Sequence, residues 1–179
     1  VNPTKYAFLG PLVGAMVRPI GGWISDKVGG AVVTLWTFVG MILAVLGVLY
    51  FLPAAGSTGN FEGFLGMFIL LFALTGIGNG STFRMIPVIF LCERQQAANK
   101  DEASQRQATL DGGKEAAAVL GFSGAVGAYG GFFIPKSFGT AIDLTGSPHA
   151  ALWCFIIFYA TCVLVTWWFY ARRNSTMPC

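Results

Sequence analysis

Five long apolar stretches dominate this sequence, and each is long enough to cross a lipid bilayer. A membrane-spanning helix needs about 20 predominantly apolar residues. The predicted spans are residues 6–25, 31–52, 64–92, 116–142 and 150–171. Charged residues make up only 11% of the chain, whereas soluble domains carry about 25%. Together with a mean hydropathy of +0.66, this pattern predicts an all-α integral membrane protein.

The positive charges between the spans predict the orientation of the chain. Positively charged short loops favour the cytoplasmic side of a membrane. The connections expected on one side carry Lys27, Arg94, Lys100, Arg106, Lys114, Arg172 and Arg173, and the opposite side carries Lys5. We therefore expect residues 93–115 to form a cytoplasmic loop and the C-terminus to lie in the cytoplasm. Trp153 and the aromatic run 167–170 then sit near the two ends of the last span.

The residues that build most catalytic and metal sites are sparse. The chain has 4 cysteines and 1 histidine, His149, and no pair of cysteines has C-x-x-C spacing. We find no phosphate-binding loop and no nucleophile beside a base, so we predict no enzyme activity, no metal and no cofactor. The positive charges are scattered, which gives no indication of nucleic-acid binding.

Arg18 is the residue most indicative of function. It lies near the middle of the first predicted span, where a charge costs from about 2.5 to more than 10 kcal/mol. The spans hold no carboxylate in their interiors that would pair with it. A guanidinium offers paired N–H donors to a planar oxyanion, so we predict that Arg18 binds an anion. A structural arginine, bonded to helix carbonyls or to a carboxylate elsewhere, is the alternative.

The fourth span has an unusual array of glycines. Gly121, Gly124, Gly127, Gly130 and Gly131 all lie within it, although each glycine costs a helix about 1 kcal/mol relative to alanine. Close packing between helices explains such glycines, and so does close approach of the backbone to a small ligand. We expect Gly124, Gly127, Gly130 and Gly131 to border a small substrate.

Four further polar residues in the spans are weaker candidates. Asn79 and Ser81 lie in the run Gly78-Asn-Gly-Ser-Thr-Phe-Arg84 of the third span, and we expect them to line a pore or to bond across helices. Arg84 and Lys136 should approach opposite membrane surfaces and snorkel there, with gating contacts as the alternative. Pro19 follows Arg18 directly, so we expect an irregular backbone in the first span.

Two motifs resemble a known transporter family. The segment Gly21-Gly-Trp-Ile-Ser-Asp26-Lys-Val-Gly-Gly30 resembles the cytoplasmic signature of the major facilitator superfamily. The segment Gly124-Ala-Val-Gly-Ala-Tyr-Gly130-Gly-Phe-Phe-Ile-Pro-Lys136 resembles the second nitrate signature of nitrate/nitrite porters of the NarK type. The run around Asn79 is similar to the tenth span of that family, and the resemblance covers essentially the whole chain.

The resemblance implies a fold and a function. The five spans would be spans eight to twelve of a twelve-span major facilitator, and Arg18 would be one of two arginines that hold the substrate anion. The implied activity is transport of nitrate and nitrite by alternating access in a bacterial inner membrane, with a role in nitrate assimilation. The partners would be nitrate, nitrite, membrane lipid and an N-terminal half of the same transporter, since the chain starts at Val1.

The transport mode follows less directly. Proton coupling usually needs a protonatable carboxylate or histidine within the membrane, and these spans have none in their interiors. Nitrate/nitrite exchange is therefore the favoured prediction. Nitrate–proton symport and transport of another small anion remain alternatives, as does a membrane anchor for a partner, although an anchor gains nothing from Arg18.

Overall fold

The computed structural model describes residues 3–53 and 59–172, and these residues form a bundle of five helices. A short 3₁₀ turn, Pro3–Tyr6, precedes α1. The helices are α1 (Leu9–Val28), α2 (Gly30–Phe51), α3 (Phe61–Ala97), α4 (Glu102–Thr145) and α5 (His149–Thr166), and a π-helical turn, Trp167–Ala171, continues α5. The expected all-α architecture is confirmed. The side chains of the aromatic run 167–170 belong to this last turn.

The helix α3 occupies the centre of the bundle. It packs against α1, α2 and α4, while α5 packs mainly against α2. Val45, Val48 and Leu152 form the most buried cluster, between α2 and α5. Both α1 and α4 pack against α3, but they are not packed against each other, so the two predicted site elements are separate within the described bundle.

A single residue connects α1 to α2 at the facilitator-like signature. Gly29 has φ of +98°, a backbone conformation that residues with a Cβ rarely adopt. A Cβ at Gly30 would lie 2.9 Å from the Met85 Cβ and 3.0 Å from the Ser25 Oγ. Glycine at both positions therefore lets the chain reverse directly against α3.

The prediction of a loop at residues 93–115 is wrong for most of that segment. α3 continues to Ala97 and α4 begins at Glu102, which leaves residues 98–101 as the connection. The Asp101 side chain caps α4 by accepting a hydrogen bond of 3.1 Å from the Ser104 N–H. Arg106 and Glu102 form an ion pair one turn apart, at 2.6 Å. Capping and charge pairing thus stabilise helix where the polar composition alone suggested a loop.

Hydropathy alone does not identify all five helices as membrane spans. Among the described residues, four helical segments are long and apolar enough: Gly30–Phe51, Phe61–Ala97, Glu102–Thr145 and His149–Ala171. The helix α1 is not one of them, because Arg18, Asp26, Lys27 and several glycines and prolines lower its hydropathy. Its close packing on α3 makes it part of the same bundle nevertheless.

The expected irregularity at Pro19 is not seen. The helix α1 runs without interruption from Leu9 to Val28 with Pro19 inside it. Proline has no N–H, so the usual hydrogen bond from residue 19 to the carbonyl of Ala15 is absent. The packing of α1 along α3 holds the helix together across this missing bond.

Candidate functional site

Arg18 lies half-way along α1, which has 20 residues. Its side chain is exposed on the surface of the bundle, whereas its main chain is in close contact with α3. A 20-residue helix is about 30 Å long. Arg18 is therefore far from both ends of α1.

No protein group neutralises Arg18 within the described residues. The salt bridges recorded there join Arg84 to Asp26, Arg94 to Glu115, Arg106 to Glu102 and Lys114 to Asp111. The hydrogen bonds among the same residues do not involve the Arg18 side chain either. Its guanidinium is therefore able to present all its donors to a group outside this part of the chain.

The glycine array on α4 is open rather than packed. A Cβ built at Gly121, Gly124, Gly127 or Gly131 meets nothing within 4 Å, and one at Gly130 meets only the Ile134 Cδ1 of the same helix, at 3.7 Å. Exposed aromatic side chains lie between the glycines and directly after them: Phe122, Tyr129, Phe132 and Phe133. Contact with the other described helices does not account for this array, so the surface is available to a ligand or to further protein.

Asn79 lies in a different environment from Arg18. Its side chain is half-buried and borders a cavity of about 260 Å³ between α2 and α3. The cavity is also lined by Thr34, Thr37, Phe38, Met41, Thr75, Gly78, Thr82 and Phe83, and no residue of α1 lines it. Asn79 therefore borders a cavity that does not include Arg18, and its expected role in a pore or in a bond across helices stays a prediction.

Arg84 has a partner that the sequence did not suggest. Its Nε donates a hydrogen bond of 2.7 Å to the Asp26 Oδ1, which joins α3 to the end of α1. The prediction for Arg84 was that it snorkels, with a gating contact as the alternative. The pairing with Asp26 appears only once α1 and α3 are packed together.

Lys136 is held close to its own helix. Its Nζ lies 5.6 Å from the centre of the Phe132 ring, one turn earlier on α4. Both side chains are exposed. This cation–π contact lies within α4 and does not connect Lys136 to another helix.

The polar end of the bundle is tied by a second ion pair. Arg94 near the end of α3 donates two hydrogen bonds to the carboxylate of Glu115 on α4, one of them at 2.9 Å from Nε to Oε2. The Arg94 contact lowers the pKa of Glu115 below its ordinary value. The pair joins the end of α3 to α4 at Glu115, more than three turns after α4 begins.

Sequence reasoning missed the glycines that bring α1 and α3 together. A Cβ at Gly21 would lie 2.7 Å from the Ile77 Cα, and one at Gly76 would lie 3.1 Å from the Gly14 Cα. Both distances are to backbone, which has no rotamer by which to move away. The spacing Gly76-x-x-x-Gly80 was the signal available in the sequence.

Known proteins that are similar to this chain carry related names. No model of a known protein family matches the chain. The nitrate/nitrite transporter NarU of Salmonella typhimurium is 48% identical over 178 residues, which is 97% of this chain. NarU of Escherichia coli is 47% identical over 97% of the chain. The probable nitrate/nitrite antiporter NarK2 of Thermus thermophilus is 37% identical over 99% of the chain.

The chain spans little more than a third of the length of these relatives. It corresponds to 37% of each NarU protein and to 35% of the Thermus protein. The aligned region is the C-terminal portion of the relatives. The similarity therefore extends over the α1 to α5 bundle and the residues discussed above.

Proposed function

This chain belongs to the nitrate/nitrite porter family of the major facilitator superfamily, and on that premise we propose that it takes part in nitrate and nitrite transport across a membrane. The proposed mode is exchange of the two anions by alternating access. The relatives are named as nitrate/nitrite transporters and a nitrate/nitrite antiporter. A multi-pass membrane location agrees with the apolar helices of the bundle.

The observation that carries the proposal is the position of Arg18. A guanidinium half-way along a membrane helix, with no carboxylate partner among the described residues, requires a counter-charge. A small oxyanion supplies that charge and accepts two parallel hydrogen bonds. Lysine would supply a point charge without the planar fork. Arg18 is therefore the proposed substrate ligand.

The glycines of α4 are proposed as a second surface of the same pathway. Gly124, Gly127, Gly130 and Gly131 leave an exposed strip of backbone with no Cβ neighbours beyond their own helix. A small anion approaches such a strip more closely than it would approach a strip of larger residues. Asn79 is retained as a proposed polar contact in the cavity between α2 and α3.

The pairing and the positions of the acidic residues and of the histidine favour exchange over proton symport. Asp26 is paired with Arg84, and Glu115 with Arg94. His149 begins α5 and lies 2.9 Å from the Ser147 Oγ through its Nδ1. None of these groups is at the depth of Arg18, where a proton carrier coupled to the anion would be expected. The positive charge of Arg18 in an empty site also disfavours reorientation of the transporter without a bound anion.

The proposed location is a bacterial inner membrane with a cytoplasmic C-terminus. Lys27 at the α1–α2 turn, the basic residues near the α3–α4 connection and Arg172 all lie on one side of the alternating helices. An excess of lysine and arginine marks the cytoplasmic side. The proposal also includes a further half of the transporter, which would complete the anion site.

The test is counterflow in proteoliposomes that contain the complete transporter of which this chain is a portion. Uptake of labelled nitrate is measured with and without internal nitrite, and with and without a pH gradient, for the wild type, Arg18→Lys and the control Arg106→Lys. We expect uptake that requires internal nitrite, ignores the pH gradient and is lost only in Arg18→Lys. Uptake driven by the pH gradient alone would establish symport, and no nitrate uptake would contradict the substrate assignment.

A further inference from the structure

The helices α1 and α3 run parallel, and they contact each other at successive helical turns. Gly10 contacts Phe72, Gly14 contacts Gly76, and Arg18 contacts Gly80, so that each pair lies four residues beyond the last on both helices. On α1 the row continues to Gly22. Arg18 is thus the one position of this row from residue 10 to residue 22 that carries a side chain.

The contact at Gly80 is made by backbone on both sides. A Cβ built on Gly80 would meet the Arg18 carbonyl oxygen, and it would lie 3.0 Å from the Arg18 carbonyl carbon and 3.1 Å from the Gly22 N. None of these atoms belongs to a side chain that can change rotamer. Any residue larger than glycine at position 80 must therefore move one helix relative to the other.

Two neighbouring contacts hold α3 in place. Ser81, which is fully buried, donates a hydrogen bond of 3.0 Å to the Gly30 carbonyl, and its Oγ lies 3.1 Å from the Thr34 Oγ1. Arg84 is paired with Asp26 one turn further on. Because α3 is fixed to α2 and to the end of α1 here, added volume at position 80 acts on the middle of α1.

The middle of α1 is the part of that helix that bends most easily. Pro19 removes the hydrogen bond that would otherwise join residue 19 to Ala15. Helices bend preferentially where this ladder is interrupted. Displacement caused at Gly80 is therefore concentrated at Arg18 and Pro19 rather than spread along α1.

We propose that Gly80 is a positioning residue for Arg18. By lacking a Cβ it lets the α1 backbone rest directly on α3, which sets where the Arg18 guanidinium stands in the bundle. The inference rests on the proposed function, because it assigns the consequence of this contact to anion binding. A displacement of about 1 Å in a positioned group costs up to about 100-fold in activity.

The test compares two glycines of α3 in the complete transporter. Gly80→Ala adds a methyl group at the Arg18 backbone, and Gly66→Ala adds one where nothing lies within 4 Å. Nitrate dissociation constants are measured by equilibrium binding to purified protein, in the wild-type and Arg18→Lys backgrounds. We expect Gly80→Ala to weaken nitrate binding about tenfold or more, and Gly66→Ala to leave it within about twofold.

The double variant separates positioning from a general packing defect. If Gly80 acts through Arg18, Gly80→Ala costs little more once Arg18 is lysine, because contacting residues are not additive. Equal losses in both backgrounds would overturn the proposal, as would Gly80→Ala binding nitrate as well as Gly66→Ala. A wild type that does not bind nitrate contradicts the proposed function instead.

A milder variant decides the matter if Gly80→Ala does not fold. Ser81→Ala removes the hydroxyl that fixes α3 beside Gly80, and Thr161→Ala removes one that donates to the Phe158 carbonyl of its own helix, α5. We expect Ser81→Ala to weaken nitrate binding about threefold and Thr161→Ala to have no effect. Equal nitrate affinities for these two variants would contradict the role assigned to the Gly80 contact.

Discussion

Arg84 Nε lies 2.7 Å from Asp26 Oδ1, and this ion pair joins α3 to the end of α1 at the facilitator-like turn. The side chains remain 61% and 45% exposed, respectively. An exposed pair contributes little to folding stability. Its position beside Gly29 and Gly30 instead fixes the geometry of the turn against α3.

The first prediction concerns this pair. Asp26→Asn and Arg84→Gln should each lower the thermal midpoint of the detergent-solubilised protein only slightly, and the double variant should be no worse than either single variant. The reason is that both changes remove the same half-exposed contact. The pair Glu102→Gln and Arg106→Gln is the matched control within one helix. Additive losses in Asp26→Asn/Arg84→Gln would show that the two residues stabilise the protein separately.

Removal of the buried hydroxyl of Ser81 should destabilise the bundle. Ser81→Ala leaves the Gly30 carbonyl and the Thr34 hydroxyl without this partner. Hydrogen bonds between membrane helices are worth about 0.6 kcal/mol on average and up to about 1.7 kcal/mol. A denaturation series on Ser81→Ala should therefore show a loss in this range. Thr75→Ala, whose hydroxyl bonds within its own helix, should lose less stability than Ser81→Ala. An equal loss of stability in the two variants would show that the Ser81 contact between helices contributes nothing extra.

The contact between Arg94 and Glu115 should give the polar end of α3 and α4 a pH dependence. The hydrogen bonds from Arg94 lower the pKa of Glu115, and the ordinary value for glutamate is about 4.3. A carboxyl with a lowered folded-state pKa stabilises the fold above its ordinary pKa, and this contribution is lost as the pH falls through the folded-state value.

Hydrogen exchange of the amides at residues 93–97 and 102–116 provides the measurement. Protection in the wild type should decrease as the pH falls below about 4.3, after correction for the intrinsic exchange rate. Glu115→Gln should have lower protection at neutral pH and a smaller change on acidification. Parallel pH profiles for the two proteins would show that this ion pair does not stabilise the helix ends.

The sequence was informative about the helices and less so about how they meet. Apolar length predicted all five helices, including α1 as residues 6–25, because the bilayer sets the length of a span. Residues 93–115 were misassigned, because capping by Asp101 and ion pairs at helical spacing stabilise polar helix without an apolar signal. Apolar length did not show that glycines of α1 contact α3.

The glycines also show that the sequence does not reveal which helices are in contact. The dense array on α4 drew attention, yet it contacts no other described helix, whereas Gly76 and Gly80 on α3 touch the α1 backbone. Composition shows where glycine is frequent but not which helix lies opposite. Likewise, the sequence predicts that Arg18 is deep and that Arg84 is near an end of its span, but only the packed helices reveal that Arg84 is paired with Asp26.

The most direct test of the central claim is nitrate binding to the complete transporter with Arg18 intact and with Arg18→Lys, using Arg106→Lys as the control. Equilibrium binding of labelled nitrate is measured at neutral pH on protein of verified monodispersity. Loss of the planar guanidinium should weaken nitrate binding by about tenfold or more, since charge-assisted contacts contribute about 1.5–3 kcal/mol. Arg106→Lys should bind as the wild type does. Undiminished nitrate binding by folded Arg18→Lys would contradict the assignment of Arg18 as the anion ligand.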